Sequence, residues 1–354
     1  MQIGIPREIR VLEGRVGLVP AAVGQLVAQG HEVLVERDAG LLSGYRDDDY
    51  RAAGAVLVDS AEAVYRAELI VKVKEPQPVE VAMLRPGQLL FSYLHLAADL
   101  ELMQALRDTG VTAVAFETVE TDAGRLPLLA PMSDIAGRVA VQVGAHLLHQ
   151  PQGGRGLLLG GVPAAERGRV VVLGAGVAGG SAALLAAAMG AEVTVFDRNR
   201  DKLAHMRALG DNVTALHPYP DALHDAAVSA DLLIGAVLVT GERAPHLVSA
   251  DTVSQMQAGS AIIDISVDQG GCIETTRPTD YSAPTFVVDG VIHFGVTNMP
   301  GAVPRTASQA LSAELIRYVS RLARPDWQQA PELVRGINVM DRKIVHHALR
   351  ELVT

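Results

Sequence analysis

Four charged side chains follow short apolar runs, where α/β proteins place their ligands. Arg15 lies in Glu13-Gly14-Arg15-Val16-Gly17-Leu18, after the run at 2–5. A guanidinium fork suits a bidentate grip on a carboxylate, although an isolated surface arginine fits the same letters. In Val71-Lys72-Val73-Lys74-Glu75-Pro76, Lys72 and Lys74 alternate onto one strand face. Pro76 ends that run with Lys74 at its carboxyl edge, where an ammonium can hold a carboxylate or simply be solvated. The stretch 88–96, QLLFSYLHL, puts Tyr93 and His95 on one face with His95 at its end. A histidine titrating near neutrality gives and takes protons during turnover, and a hydrogen-bonded structural histidine is the alternative. Asp264 and Asp268 lie in AIIDISVDQGGC, at 261–272. Asp268 is placed to meet an ammonium or a bound substrate, Asp264 to cap or pack, and turn chemistry alone accounts for either.

A dinucleotide-binding stretch occupies 169–197, RVVVLGAGVAGGSAALLAAAMGAEVTVFD. An apolar strand leads into Gly174, Gly176 and Gly179, spaced G-x-G-x-x-G, and a run of small helix formers follows. Gly174 permits the tight turn, and Gly176 lets a pyrophosphate approach the backbone. Gly179 lets the helix lie close to the sheet with its N-terminus facing the phosphates. Asp197 ends the second strand, placed to accept hydrogen bonds from both ribose hydroxyls, which favours NAD over NADP. Asn298, in VTNMPG at 296–301, follows the last strand and is positioned for the nicotinamide end.

This motif begins near the middle of the 354-residue chain, so the preceding half must be a folding unit of its own. That half also reads β/α, with strands expected at 2–5, 32–36, 55–58, 69–74, 88–96 and 112–117 and helices between many of them. The fold class is therefore α/β, with two Rossmann-like doubly wound domains. The second carries the dinucleotide motif, with strands expected at 213–216, 232–239, 261–267, 285–288 and 293–296. Ser133 is placed to N-cap a helix running to about 148, with Ile135, Val139, Val143 and Leu147 on its apolar face. Helices from 306 onward cannot complete the second sheet and are expected to return to the first domain. The expected division is 1–128 plus 303–354 as substrate domain and 129–302 as NAD-binding domain.

Composition narrows the function classes. A net charge of −10 argues against a nucleic-acid partner. A single cysteine, Cys272, rules out an internal disulfide and fits a reducing compartment. Neither a signal peptide nor a membrane span is expected. No spacing suited to a catalytic metal appears.

The chain resembles the alanine dehydrogenase/transhydrogenase alpha-subunit family along nearly its whole length. The resemblance rests on GIPREI, EGRVGLVP, LIVKVKEP, LLFSYLHLA, PLLAPMSDIAGR, QGGRGLLLGGVP, VVVLGAGVAG, IGAVLV, ISVDQGGC and TNMPGAVPRT in that order. It implies NAD-dependent reversible oxidative deamination of L-alanine to pyruvate and ammonium, by a cytoplasmic homo-oligomer, commonly a hexamer. It also implies that Arg15 and Lys74 bind the substrate carboxylate, with His95 as proton shuttle and Asp268 as its carboxylate counterpart. Ser133, Gly174, Gly176, Val177, Ala178, Gly179, Asp197, Lys202, Val237, Leu238, Ile265, Asn298 and Met299 would line the cofactor. Two positions depart from the family's pattern: His217-Pro218-Tyr219 where a small polar residue is common near the adenine, and Asp134 where glutamate is frequent. Two other readings stand beside this one. They are a soluble NAD-binding transhydrogenase subunit and a dehydrogenase of a larger amino acid, whose pocket Met132 and Tyr93 would border.

Overall fold

The computed structural model describes residues 1–237 and 244–352, which divide into two compact units, 1–132 with 301 onward, and 133–300. The first six strands are β1 Gln2–Ile5, β2 Glu32–Glu36, β3 Val56–Val58, β4 Leu69–Val71, β5 Leu89–Ser92 and β6 Thr112–Ala115. All six run parallel in the order β6-β5-β4-β1-β2-β3. Strands buried on both faces read as continuous apolar runs, as Leu69–Val71 and Leu89–Ser92 do. Ile70, Leu90, Met103, Leu106 and Ala113 lie in one core under these strands.

The second unit holds β7 Arg169–Leu173, β8 Glu192–Phe196, β9 Val213–Leu216, β10 Leu232–Gly235, β11 Ala261–Asp264, β12 Thr285–Val288 and β13 Val291–Phe294. Its sheet order is β12-β13-β11-β10-β7-β8-β9, with β12 the antiparallel edge. Val171, Leu173, Leu233 and Ile262 belong to its core. In each sheet the strand order reverses beside the first strand, between β1 and β4 and between β7 and β10. The carboxyl ends of those pairs are the switch points at which doubly wound sheets bind ligands. The loop after β1 carries Arg15 and that after β4 carries Lys74. The loop after β7 is the glycine turn.

Three expectations are corrected. The strands expected to reach Lys74, Leu96 and Glu117 stop at Val71, Ser92 and Ala115. The last residues of the first two segments are therefore loop and those of the third a 3-10 turn, freed from strand alternation. Ser133 is not an N-cap, because its helix runs Ala130–Leu147. Pro131 falls in that helix's first turn, where a missing N–H costs nothing, so the helix starts earlier. Beyond Gly301 come not only helices, Pro304–Leu322, Pro331–Arg335 and His347–Arg350, but also β14 Ile337–Met340 and β15 Lys343–Ile344. β14 joins the first sheet antiparallel to β6, and β15 pairs with β14.

The returning segment braces the loop that carries Arg15. Ser308 Oγ accepts the Val16 amide at 3.0 Å and Ser312 Oγ the Val19 amide at 3.1 Å. Ser43 Oγ donates to the Gly14 carbonyl at 2.7 Å and lies 2.8 Å from Ser308 Oγ.

Candidate active site

Arg15 is 3% exposed, and burying a guanidinium demands a partner. Glu13 supplies it, with Nε to Oε1 at 2.7 Å and Nη2 to Oε2 at 2.6 Å. The fork that the sequence offered to a substrate thus grips Glu13 along one edge, and Nη1 contacts Met132 Sδ at 3.2 Å. Burial on its own would lower the Arg15 pKa, but the Glu13 hydrogen bonds and charge hold it above the ordinary value. Burial would raise that of Glu13, and the Arg15 pair brings it below the usual range.

Lys74 is half-buried. Burial first, then the nearby positive charge of Arg15, push its pKa down, against the pull of Glu75 and Glu13. Two cations thus share one electrostatic neighbourhood on the loops after β1 and β4. The path of the chain here is set by Glu8, whose Oε1 accepts the Val73 amide at 2.6 Å and the Lys74 amide at 3.4 Å. Lys72 faces inward, 1% exposed, with Nζ 3.4 Å from Glu8 and 2.9 Å from Glu80. Tyr65 donates to the other Glu80 oxygen at 2.9 Å. Burial pushes the Glu8 carboxyl up, and the Lys72 charge only partly offsets it.

His95 lies three residues past the end of β5, exposed and at φ +49°. Its ring stacks on Tyr93, with centroids 5.7 Å apart and planes 7° apart. Tyr93 is buried and donates its hydroxyl to the Leu128 carbonyl at 2.6 Å. Burial pushes that phenol well above its ordinary pKa.

In the second unit, each glycine of the motif has a physical reason. Gly174 has φ +97°, and a Cβ there would lie 2.5 Å from the Ala236 carbonyl oxygen. A Cβ on Gly179 would lie 1.8 Å from the Gly174 carbonyl oxygen, so helix and turn touch through backbone alone. Gly176 N-caps the helix Val177–Ala188, and a Cβ there would meet nothing within 4 Å. Open space at a helix N-terminus suits an anion. Val177 is exposed and Ala178 half-buried. Asp197 accepts the Ala175 amide at 2.7 Å and the Asn199 amide at 2.7 Å, tying the end of β8 to the glycine turn. A carboxylate has lone pairs for further donors. Lys202 is exposed in the first turn of the next helix, which Asn199 caps.

The loops after β10 and β11 carry the other expected contacts. Val237 and Ile265 are half-buried there, while Leu238 lies outside the described residues. Asp264 is fully buried and organises its loop, accepting from the Ser266 and Cys272 amides at 3.0 and 2.9 Å and the Thr276 hydroxyl at 2.8 Å. Asp268 is exposed on the short 3-10 turn Val267–Gln269 that this anchoring creates. Asn298 and Ser133 are half-buried; Met299 is buried, with its carbonyl accepting from Tyr281 at 2.8 Å.

Two domain models, alanine dehydrogenase/PNT N-terminal and C-terminal, match residues 4–136 and 140–347. This chain belongs to the alanine dehydrogenase/PNT family. An alanine dehydrogenase of Halomonas elongata is 48% identical, over 99% of this chain and 96% of that protein. A solved L-alanine dehydrogenase structure superposes with a TM-score of 0.97 at 49% identity, covering 100% of this chain and 99% of that one. The Sinorhizobium meliloti transhydrogenase structure gives 0.86 at 26% identity, over 98% of this chain and 100% of that one. The family's C-terminal domain, with its glycine turn, makes this a dehydrogenase-type protein with a dinucleotide-binding domain.

Within each unit, the structure collects these family positions at the carboxyl ends of the strands. Arg15, Lys74 and His95 follow β1, β4 and β5; Gly174, Asp197, Val237 and Asp268 follow β7, β8, β10 and β11. Sequence reasoning missed the carboxylates behind them, namely the buried Glu8, Glu13 and Glu80 and the half-buried Glu117. Only Glu13 left a local signal, two residues before Arg15. Gly137 was also missed: a Cβ there would lie 2.0 Å from the Ala178 carbonyl oxygen, so helix Ala130–Leu147 packs on the dinucleotide helix at backbone distance. No helix of the described residues is long and apolar enough to cross a membrane.

Proposed function

We propose that the chain is an NAD-dependent alanine dehydrogenase, interconverting L-alanine with pyruvate and ammonium. The single observation that carries this reading is the pair of cations, Arg15 and Lys74, drawn into one neighbourhood at the switch point of the first sheet, with His95 on the next loop. Glu13 balances the Arg15 charge, and Lys74 beside it adds the positive charge that a small substrate carboxylate would meet. Gripping it fixes Cα for hydride removal. Water must then add to the imine carbon before ammonia leaves, and His95 gives and takes the protons. Asp268, ionised, stabilises the iminium or ammonium charge.

In this reading, 1–128 with 303–354 bind the substrate and 129–302 bind NAD. Gly174, Gly176, Val177, Ala178 and Gly179 hold the pyrophosphate and Asp197 the ribose hydroxyls. Ser133, Lys202, Val237, Leu238, Ile265, Asn298 and Met299 line the remainder of the cofactor. The fit is supported by the side-chain-free space at Gly176 and by Asp197 beside the turn. When bound, the nicotinamide supplies the hydride acceptor. A cytoplasmic homohexamer belongs to the same reading, drawn from the family resemblance.

The test is NADH formation across a panel of amino acids with NAD and with NADP. L-Alanine with NAD should give the highest kcat/KM. Absence of any alanine-dependent NADH would overturn the proposal in favour of a transhydrogenase subunit, and a preference for lysine or ornithine would overturn the substrate.

A further inference from the structure

We infer that Glu117 is a positioning residue that holds His95 in its working conformation; this rests on the proton-transfer role proposed for His95. A histidine at φ +49° sits in a region that side-chain-bearing residues seldom occupy, and it stays there only when its surroundings impose it. The sheet register shows what anchors the backbone there. β5 and β6 are parallel with Ser92 opposite Ala115, so two residues further on Leu94 comes level with Glu117. Glu117 lies on the 3-10 turn Phe116–Thr118, directly after β6.

Its carboxylate bridges two successive amides. Oε1 accepts the His95 amide at 2.6 Å, and Oε1 and Oε2 each lie 3.2 Å from the Leu94 amide. Two successive N–H groups thus converge on one carboxylate, which fixes the peptide that leads into the turn at His95. The Glu117 carboxylate therefore anchors the peptide from which the left-handed turn of His95 departs. The ring is then laid parallel to Tyr93, itself fixed through its hydroxyl to Leu128. Glu117 acts on the backbone of His95 and touches no reacting atom.

The test is a double-mutant cycle on the full chain, assayed with L-alanine and NAD. Glu117→Gln keeps the shape but presents a single acceptor oxygen to the two amides. It should lower kcat at least about tenfold, because a misplacement of about 1 Å can cost a hundredfold. The KM for NAD should stay within about twofold, since the cofactor loops are untouched. His95→Ala should lower kcat by about a hundredfold. The double variant should match His95→Ala alone, because a residue acting only through His95 has nothing left to position.

Wild-type kcat in Glu117→Gln overturns the inference, and so does a double variant that loses the full Glu117→Gln factor on top of His95→Ala. Near-normal turnover in His95→Ala is a different failure: it removes the proton-transfer role and this inference with it. Should Glu117→Gln not fold, Glu117→Asp, which keeps the charge but withdraws it from the amides, goes through the same cycle with the same expected outcome.

Discussion

Two lysines two residues apart show how environment assigns a role to a residue type. Lys72 points inward and is neutralised by Glu8 and Glu80, so its pKa stays above the ordinary value although burial works against it. Lys74 is desolvated beside Arg15, so its charged form is disfavoured until an anion arrives. A lysine whose pKa is lowered loses its charge at a lower pH than the usual value of about 10.4. The KM for pyruvate, which has no ammonium of its own to titrate, should therefore rise with pH from below that value. Lys74→Met should raise it at all pH values by about ten- to a hundredfold, the range for a charged hydrogen bond, and flatten the alkaline rise. A profile in Lys74→Met identical to wild type would place the carboxylate elsewhere. Lys74 and His95 could be singled out as candidates because each sits just past an apolar run, and Arg15 because it lies in the loop after β1. Glu117 could not, because it lies 22 residues from His95 and only the pairing of two strands brings them together.

At the scale of elements, the sequence marked where strands begin far better than where they end. Val71-Lys72-Val73-Lys74 alternates like a strand, but Glu8 takes the Val73 amide and ends the ladder. β14 and β15 were illegible for a different reason: four and two residues between helical patterns carry no period, and only pairing defines them as strands, β14 with β6 and β15 with β14. Helix packing was half legible. The role of Gly179 could be read from the motif, whereas Gly137 looked like any helix-interior glycine. Paired substitutions separate the two kinds of glycine. Gly137→Ala drives a methyl into the Ala178 carbonyl, which cannot yield as a side chain can, and should destabilise by about 1–3 kcal/mol. Gly180→Ala places its methyl 3.4 Å from the mobile end of Met206, and should stabilise by about 0.5–1 kcal/mol through helix propensity. Thermal melts of the two variants check this. Equal midpoints would mean that the close approach at Gly137 carries no packing cost.

For the whole molecule, the two sheets share one strand order, yet they are completed differently. The second closes within its own stretch of chain, ending in the β12–β13 hairpin. The first depends on residues from 301 onward. These cover the edge of β6 with β14 and give the Val16 and Val19 amides their acceptors on Ser308 and Ser312. An uncovered β6 would be an open edge, a site for pairing with other chains. Amides that lose their acceptors next to Arg15 would also release the loop on which it sits. Residues 130–300, starting where the helix Ala130–Leu147 starts, should therefore fold alone and quench or shift NADH fluorescence on binding. Residues 1–132 without the returning segment should aggregate or stay unfolded by circular dichroism, and adding 301–354 on a linker should restore a cooperative melt. A cooperative melt from 1–132 alone would show that the returning strands and serines decorate a unit already able to stand without them. The bracing of the Arg15 loop would then lose its physical basis.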